Sequence, residues 1–265
     1  MLTVLLSHER SGSHLLGEAI KSLDGVRMFD EVCNAHAMPA DSYPESFHRF
    51  HRDWITQKPE HISCPTFALQ AEFNKAYFEH LTKLAAPLNA VVDIKYGHIH
   101  LFEGSWWPLF RRPMFFVSCE SCDVRLIHLH RLNTLEAAVS AHIAEERKVW
   151  HSWQPEATRT EGFTCAVPVA QIVNDARLLI EQSSWIGSRW MGRIPVLTVT
   201  YEELATDIAR PDSELLARTA SHVGGTIQTL FRPSLQKLGR PLQESIINYA
   251  ELKMACRGTP LDPMT

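Results

Sequence analysis

Short apolar runs that alternate with helix-spaced segments constrain this 265-residue chain more than any other feature. The runs lie at Thr3 to Leu6, Val26 to Phe29, Ala90 to Lys95, Asp123 to His130 and Ile194 to Thr200. Between them, apolar residues recur three and four apart from Leu15 to Ile20, Phe67 to Ala85, Ala137 towards Trp150, Val169 to Trp190 and Leu215 to Val223. A strand buried on both faces reads as a near-continuous apolar run, and a helix lying on a sheet shows one apolar stripe. The alternation therefore predicts an α/β protein of three layers, α/β/α, around a central, mostly parallel sheet of about five strands. Ligands of such sheets sit at the carboxyl ends of the strands.

Composition sets the remaining bounds. With 45% apolar and 21% charged residues the chain can bury one large core, so residues 1–265 read as a single domain. Its net charge of −4 speaks against bulk binding to nucleic acid or to an anionic membrane. No apolar run is long enough to span a bilayer, and the first residues lack the pattern of a secretory signal, so the cytoplasm is the expected location. Six scattered cysteines (Cys33, Cys64, Cys119, Cys122, Cys165 and Cys256) then read as reduced thiols. Cys119-Glu120-Ser121-Cys122 is a lone C-x-x-C without a second pair for zinc, and it reads as a loop before the next strand. The pairs His48/His51 and His98/His100 have no carboxylate at usual ligand spacing, so no metal is expected. The stretch at about 33–66 is rich in Pro, His and aromatics and lacks clean periodicity, apart from a short helix around Ser46 to Trp54. It reads as an irregular lid of the kind that carries substrate contacts.

Four groups of polar residues fall at the ends of separate strands. The first is Arg10-Ser11-Gly12-Ser13-His14, between the opening strand and its helix. A helix start offers unpaired N–H groups and the positive end of the dipole, and Arg10 adds a charge, which together suit a phosphate or sulfate. An ordinary turn whose serines cap the helix is the plainer alternative. The loop lacks the Walker lysine, which disfavours a nucleoside triphosphate with magnesium. The second group is Arg131 with Ser140, which lies on the helical face of the Asn133 cap and can bind a second phosphate; a capping region with a helix serine is the alternative. Asn133 and Glu136 have the spacing of a capping box. The third is Glu31, which as a general base needs a pKa raised from about 4.3, and otherwise is a polar strand terminus. The fourth is Lys95 with His98, placed to steady a transferred group or shuttle a proton, although a lysine leaving a strand is commonplace.

Together these segments resemble the sulfotransferases that use 3′-phosphoadenosine 5′-phosphosulfate (PAPS), of the bacterial type that sulfates trehalose glycolipids and nodulation oligosaccharides. The resemblance is carried by Arg10-Ser11-Gly12-Ser13-x-Leu15-Leu16, by Ile127-His128-Leu129-His130-Arg131-x-Asn133 with Ser140 nine residues after the arginine, by Thr200-Tyr201-Glu202-Glu203-Leu204, and by Ile246-Ile247-Asn248-Tyr249-x-Glu251-Leu252, which is expected to be helical. It implies a P-loop-like sheet in which Arg10, Ser11, Gly12 and Ser13, with His14, hold the 5′-phosphosulfate. Arg131 and Ser140 would hold the 3′-phosphate, and Tyr201 would lie near the adenosine. Glu31 occupies the position of the catalytic base, and Arg10 would stabilise the leaving phosphate. His14 departs from the threonine common in the family.

The implied reaction moves a sulfuryl group from PAPS, in line and without metal, to a hydroxyl of a small molecule or carbohydrate, leaving PAP. Tyr43, Phe47, Phe50, Trp54, Trp106 and Trp107 suit sugar stacking, an apolar acceptor or plain core equally. A non-catalytic PAP- or PAPS-binding module and a nucleotide kinase-like phosphotransferase are the other readings, and a homo-oligomer stays open.

Overall fold

The computed structural model describes all residues except 36–41, 64–65, 105–111, 150–162, 230 and 235–240. Strand β1 (Leu2–Ser7) is followed by α1 (Ser13–Lys21), β2 (Val26–Phe29), α2 (Phe47–Gln57), α3 (Glu60–Ser63), α4 (Phe67–Ala85) and β3 (Asn89–Lys95). A 3-10 turn (Tyr96–Phe102), α5 (Met114–Ser121), β4 (Arg125–His130), α6 (Thr134–Arg147) and α7 (Val169–Trp185) come next. Then follow a π-helical turn (Ile186–Trp190), β5 (Val196–Thr200), α8 (Tyr201–Asp207), α9 (Glu214–Val223), α10 (Leu242–Ser245), α11 (Tyr249–Cys256) and a last 3-10 turn (Asp262–Met264). Among the described residues the five strands form one sheet in the order β2-β3-β1-β4-β5, and every pairing is parallel.

β1 is the middle strand because its sequence can be dry on both faces: Val4, Leu5 and Leu6 are fully buried. Successive side chains point to opposite faces. Val4 and Leu6 join Val92, Ile94 and Leu126 beneath the aromatic side chains of α4 and α5, among them Phe73, Tyr77, Phe78, Phe115 and Phe116. Leu5 joins Val91, Ile127 and Val199 on the other face, beneath Leu16 and Ile20 of α1 and Leu215 and Val223 of α9. Each such side chain contributes roughly 1.5–3 kcal/mol on burial. A third apolar cluster, holding Leu135, Val139, Val173, Ala176 and Leu252, binds α6, α7 and α11 together. The sheet extends from β1 to β3 and β2 on one side and to β4 and β5 on the other, so the strand order reverses beside β1. In open α/β sheets such a switch point is where ligands bind, at the carboxyl ends of the strands.

Several local expectations are corrected. Cys119-Glu120-Ser121-Cys122 is no loop: it closes α5, with Cys119 buried and Cys122 donating its N–H to the Ser118 carbonyl. The N-terminus of α5 is held by a distant group, the Glu103 carboxylate, which accepts from the N–H groups of Met114 and Phe115. The helix expected from Ile246 to Lys253 starts only at Tyr249. A parallel bridge between Cys165 and Ile246 takes the backbone groups that would have begun it, and the Asn248 side chain bonds both the N–H and the carbonyl of Val167. The segment through Trp190 leaves α geometry at Ile186 for a π turn. None of the helices in the described residues is long and apolar enough to cross a membrane.

Candidate functional site

The loop after β1 is shaped by two residues of positive φ, Arg10 at 61° and Gly12 at 90°. The first α1 hydrogen bond runs from Leu16 N–H to the Gly12 carbonyl, so the N–H groups of the first turn lie ahead of the ladder. Neither serine caps the helix. Ser11 Oγ donates to the His8 carbonyl at 2.7 Å, and Ser13 Oγ accepts from Lys95 Nζ at 2.6 Å. Gly12 is required sterically as well as by φ, because a Cβ there would stand 2.7 Å from Cδ2 of Tyr201.

Tyr201 thus lies against the loop, and on its other contact the Arg131 guanidinium carbon stands 4.4 Å from the ring centroid. Thr200 places this tyrosine at the start of α8 by capping the helix through the Glu203 N–H. Arg131 is 6% exposed at the end of β4, pairs with Glu136, and has a buried Nε with no protein partner. Ser140 meets Arg10, whose Nε donates to Ser140 Oγ at 3.1 Å, rather than Arg131. Burial, helped by the nearby Arg131 charge, lowers the Arg10 pKa from its ordinary value. The Asn133–Glu136 box is half formed. Asn133 Oδ1 accepts the Glu136 N–H at 2.9 Å, but the Glu136 carboxylate turns to Arg131. Glu202 instead accepts the Leu132 and Asn133 N–H groups, at 3.1 and 3.2 Å.

On the β3 side of the loop lies a second cluster. Lys95 Nζ is buried and donates to both Asp93 oxygens (3.0 and 2.7 Å), to Ser13 Oγ and, at 3.3 Å, to Ser7 Oγ. Glu31 Oε1 lies 3.5 Å from Lys95 Nζ and 3.5 Å from His14 Nε2, while Oε2 accepts from Asn34 at 2.8 Å. Burial alone would raise the Glu31 carboxyl. The His14 hydrogen bond, the Lys95 charge and the Asn34 amide overcome it and hold the group well below the ordinary carboxylate range. This is opposite to the upward shift expected of a carboxylate base. Burial pushes Asp93 up, with Lys95 pulling against it. His98 sits within electrostatic reach of Glu31 and Lys95, its pKa lowered chiefly by burial.

Between the two clusters the strand ends carry histidines. His8 donates from Nδ1 to the Glu9 carbonyl at 2.6 Å and accepts the Arg131 N–H on Nε2 at 3.2 Å, which fixes a neutral tautomer. His128 Nε2 is 2.6 Å from the Tyr96 hydroxyl. Burial lowers His8 to about 4 and His128 to about 3.

The aromatic residues proposed for the acceptor divide differently. Phe47 is buried against Phe73, Tyr77 and Phe102, with ring centroids 5.4, 5.2 and 5.0 Å away, and serves the core. Phe50 and Trp54 pack on α4, Tyr43 is exposed, and Trp106 and Trp107, like Cys64, lie outside the described residues. Among the described residues no cluster of three or more His, Cys, Asp or Glu side chains is arranged to hold a metal ion.

The sequence singled out Arg10, Gly12, Ser13, Glu31, Lys95, Arg131, Ser140 and Tyr201, and pairwise contacts link these residues about the loop after β1. Asp93 was missed, and Glu136 and Glu202, read only as part of a capping box and of a motif, were not assigned to the site. Asp93 sits inside an apolar strand, where a carboxylate demands a partner; that was the signal for it.

No protein-family model and no curated protein matches the chain. Among solved structures, the mouse sulfotransferase SULT7A1 in complex with PAP is 15% identical, over 99% of this chain and 85% of that one, with a TM-score of 0.39. At that score the two backbones do not superpose as one, and a functional reading stands on the residues of the site itself.

Proposed function

We propose that the chain transfers a sulfuryl group from PAPS to a hydroxyl, most simply of a carbohydrate or other small molecule. The observation that carries this reading is a pair of partly or fully buried arginines, Arg10 and Arg131, held at the ends of neighbouring strands with the Tyr201 ring between the loop and Arg131. Two arginines so placed suit a ligand with two separate anionic groups and an aromatic base. The buried, unpartnered Arg131 Nε is a donor that such an anion would satisfy. Arg10, Ser11, Gly12 and Ser13, with His14 beside them, would surround the 5′ end, with Arg131 and Ser140 at the 3′-phosphate. Arg10 and the α1 amides would stabilise charge on the leaving phosphate, a contact whose loss typically costs on the order of 100-fold in rate. Lys95 holds the loop through Ser13, His98 would act from within electrostatic reach of Glu31 and Lys95, and Glu31 would supply the negative charge that draws the proton from the hydroxyl.

A module that binds PAP without turnover is the second reading, favoured by the depressed basicity of Glu31. Thermal-shift assays with PAP, ATP and GTP test the ligand: stabilisation by PAP alone is expected. Arg131→Ala should weaken PAP by at least about tenfold in calorimetry, since a phosphate loses a charged partner. Unchanged affinity would move the 3′-phosphate elsewhere.

A further inference from the structure

We infer that His14 takes the proton directly from the acceptor hydroxyl, with Glu31 behind it as its anionic partner. This rests on the sulfuryl-transfer reading above. Three features of the crevice lead to it. First, Oε1 of Glu31 faces His14 and Lys95, and Oε2 accepts from Asn34, so a hydroxyl arriving at this carboxylate competes with three donors. Second, the imidazole is the outer group of the pair: the His14 side chain is 30% exposed and that of Glu31 19%. Third, Nε2 is the nitrogen turned toward Glu31, at 3.5 Å. An imidazole that keeps its proton on the carboxylate side carries its basic lone pair on the other nitrogen, Nδ1.

Among the described residues, the charged and titratable groups around His14 include Glu31 after β2 and Asp93 and Lys95 on β3, with His98 of the following 3-10 turn in electrostatic reach of Glu31. A carboxylate held as strongly as Glu31 is a weak base, whereas a general base works best near the operating pH. The imidazole, the outer group of the pair, receives the proton with the carboxylate as its counter-charge.

The step balances with groups already named. The acceptor oxygen bonds to sulfur as its O–H bond breaks, and His14 Nδ1 gains that proton. The bond from sulfur to the 5′-phosphate oxygen breaks, and its electron pair leaves with PAP. The imidazolium then lies against the Glu31 carboxylate until solvent takes the proton.

The test uses the full chain as wild type, His14→Gln, His14→Asn and Glu31→Gln. Long-range 15N–1H spectra of histidine-labelled protein should show His14 as the Nε2–H tautomer in wild type, with that signal altered in Glu31→Gln. An Nδ1–H tautomer in wild type would overturn the inference without any assay of activity. PAP formed from PAPS is then followed with water, and with trehalose, as the probe hydroxyl. Both His14 variants should form PAP at least about 100-fold more slowly than wild type at saturating PAPS. Melting curves with PAP show whether each variant is folded. His14 variants as fast as wild type, beside an inactive Glu31→Gln, would assign the proton to Glu31 directly. Wild type that binds PAP but forms none overturns the relay and leaves a binding module. Wild type without affinity for PAP overturns the sulfuryl-transfer reading itself.

Discussion

Lys95 shows how much of this site rests on one side chain. Its ammonium joins β3 to β1 through Ser7 and to α1 through Ser13, while Asp93 neutralises it two residues away. Lys95→Met should therefore destabilise the fold by about 3–5 kcal/mol in urea titrations, because Asp93 is left buried without a counter-ion. Adding Asp93→Asn should restore part of that loss, and a double variant no better than the single one would show that the charge pair is not the cause. His8 and His128 make a second case, in acid. Both are neutral in the fold, with pKa values lowered by burial to about 4 and about 3. The unfolded chain binds their protons below about pH 6.5, so their contribution is intact above that pH and is lost as pH falls toward the folded values. Each histidine should cost about 1.4 kcal/mol per pH unit in that window. Unfolding at pH 6.5 and 5 measures the slope, and His128→Gln should make it shallower. Arg10, Glu31, Lys95 and Arg131 were legible in the sequence because charged residues at strand ends stand out against apolar runs. Their partners were not: Glu202 reaches Leu132 from 70 residues away and Lys95 reaches Ser13 from 82, separations that no local pattern encodes.

At the scale of elements, the periodic segments formed as the sequence predicts, because an apolar stripe on a sheet outweighs small differences in propensity. Departures occurred where a tertiary partner outbid the local signal. The Cys165 bridge did so at Ile246, and the Glu103 carboxylate did so at the start of α5, a helix with little amphipathic pattern. The junction of the opening loop with α8 is a tight joint of the same kind. Gly12→Ala places a Cβ in left-handed backbone and 2.7 Å from the Tyr201 ring. The variant should melt several degrees lower, a loss of about 1–3 kcal/mol, and bind PAP at least about tenfold more weakly. A variant with wild-type affinity would mean that loop and ring part easily, and that the close approach is incidental to binding.

For the molecule as a whole, the parallel order β2-β3-β1-β4-β5 was legible as a class but not as an order. Strand order is decided by which apolar faces meet, which no run taken singly encodes. The sheet's two faces and the α6–α7–α11 cluster form three separate apolar clusters. Leu252 is fully buried in the third. Leu252→Ala should cost about 2–5 kcal/mol and speed amide exchange in α6 and α7 before β1 and β3 are affected. Uniform acceleration across the sheet would show that the three clusters open as one unit.

The pairing of Lys95 and Arg131 with carboxylates has a consequence for how a ligand arrives. Arg10, Lys95 and Arg131 stand among Asp93, Glu31 and Glu136, and Glu202 lies beside them. The whole chain carries −4. Seen from beyond a Debye length of about 8–10 Å, this crevice presents no excess positive potential to a distant anion. Encounter is therefore not steered by attraction, and discrimination begins only when a ligand is close enough to exchange places with Glu136 on Arg131.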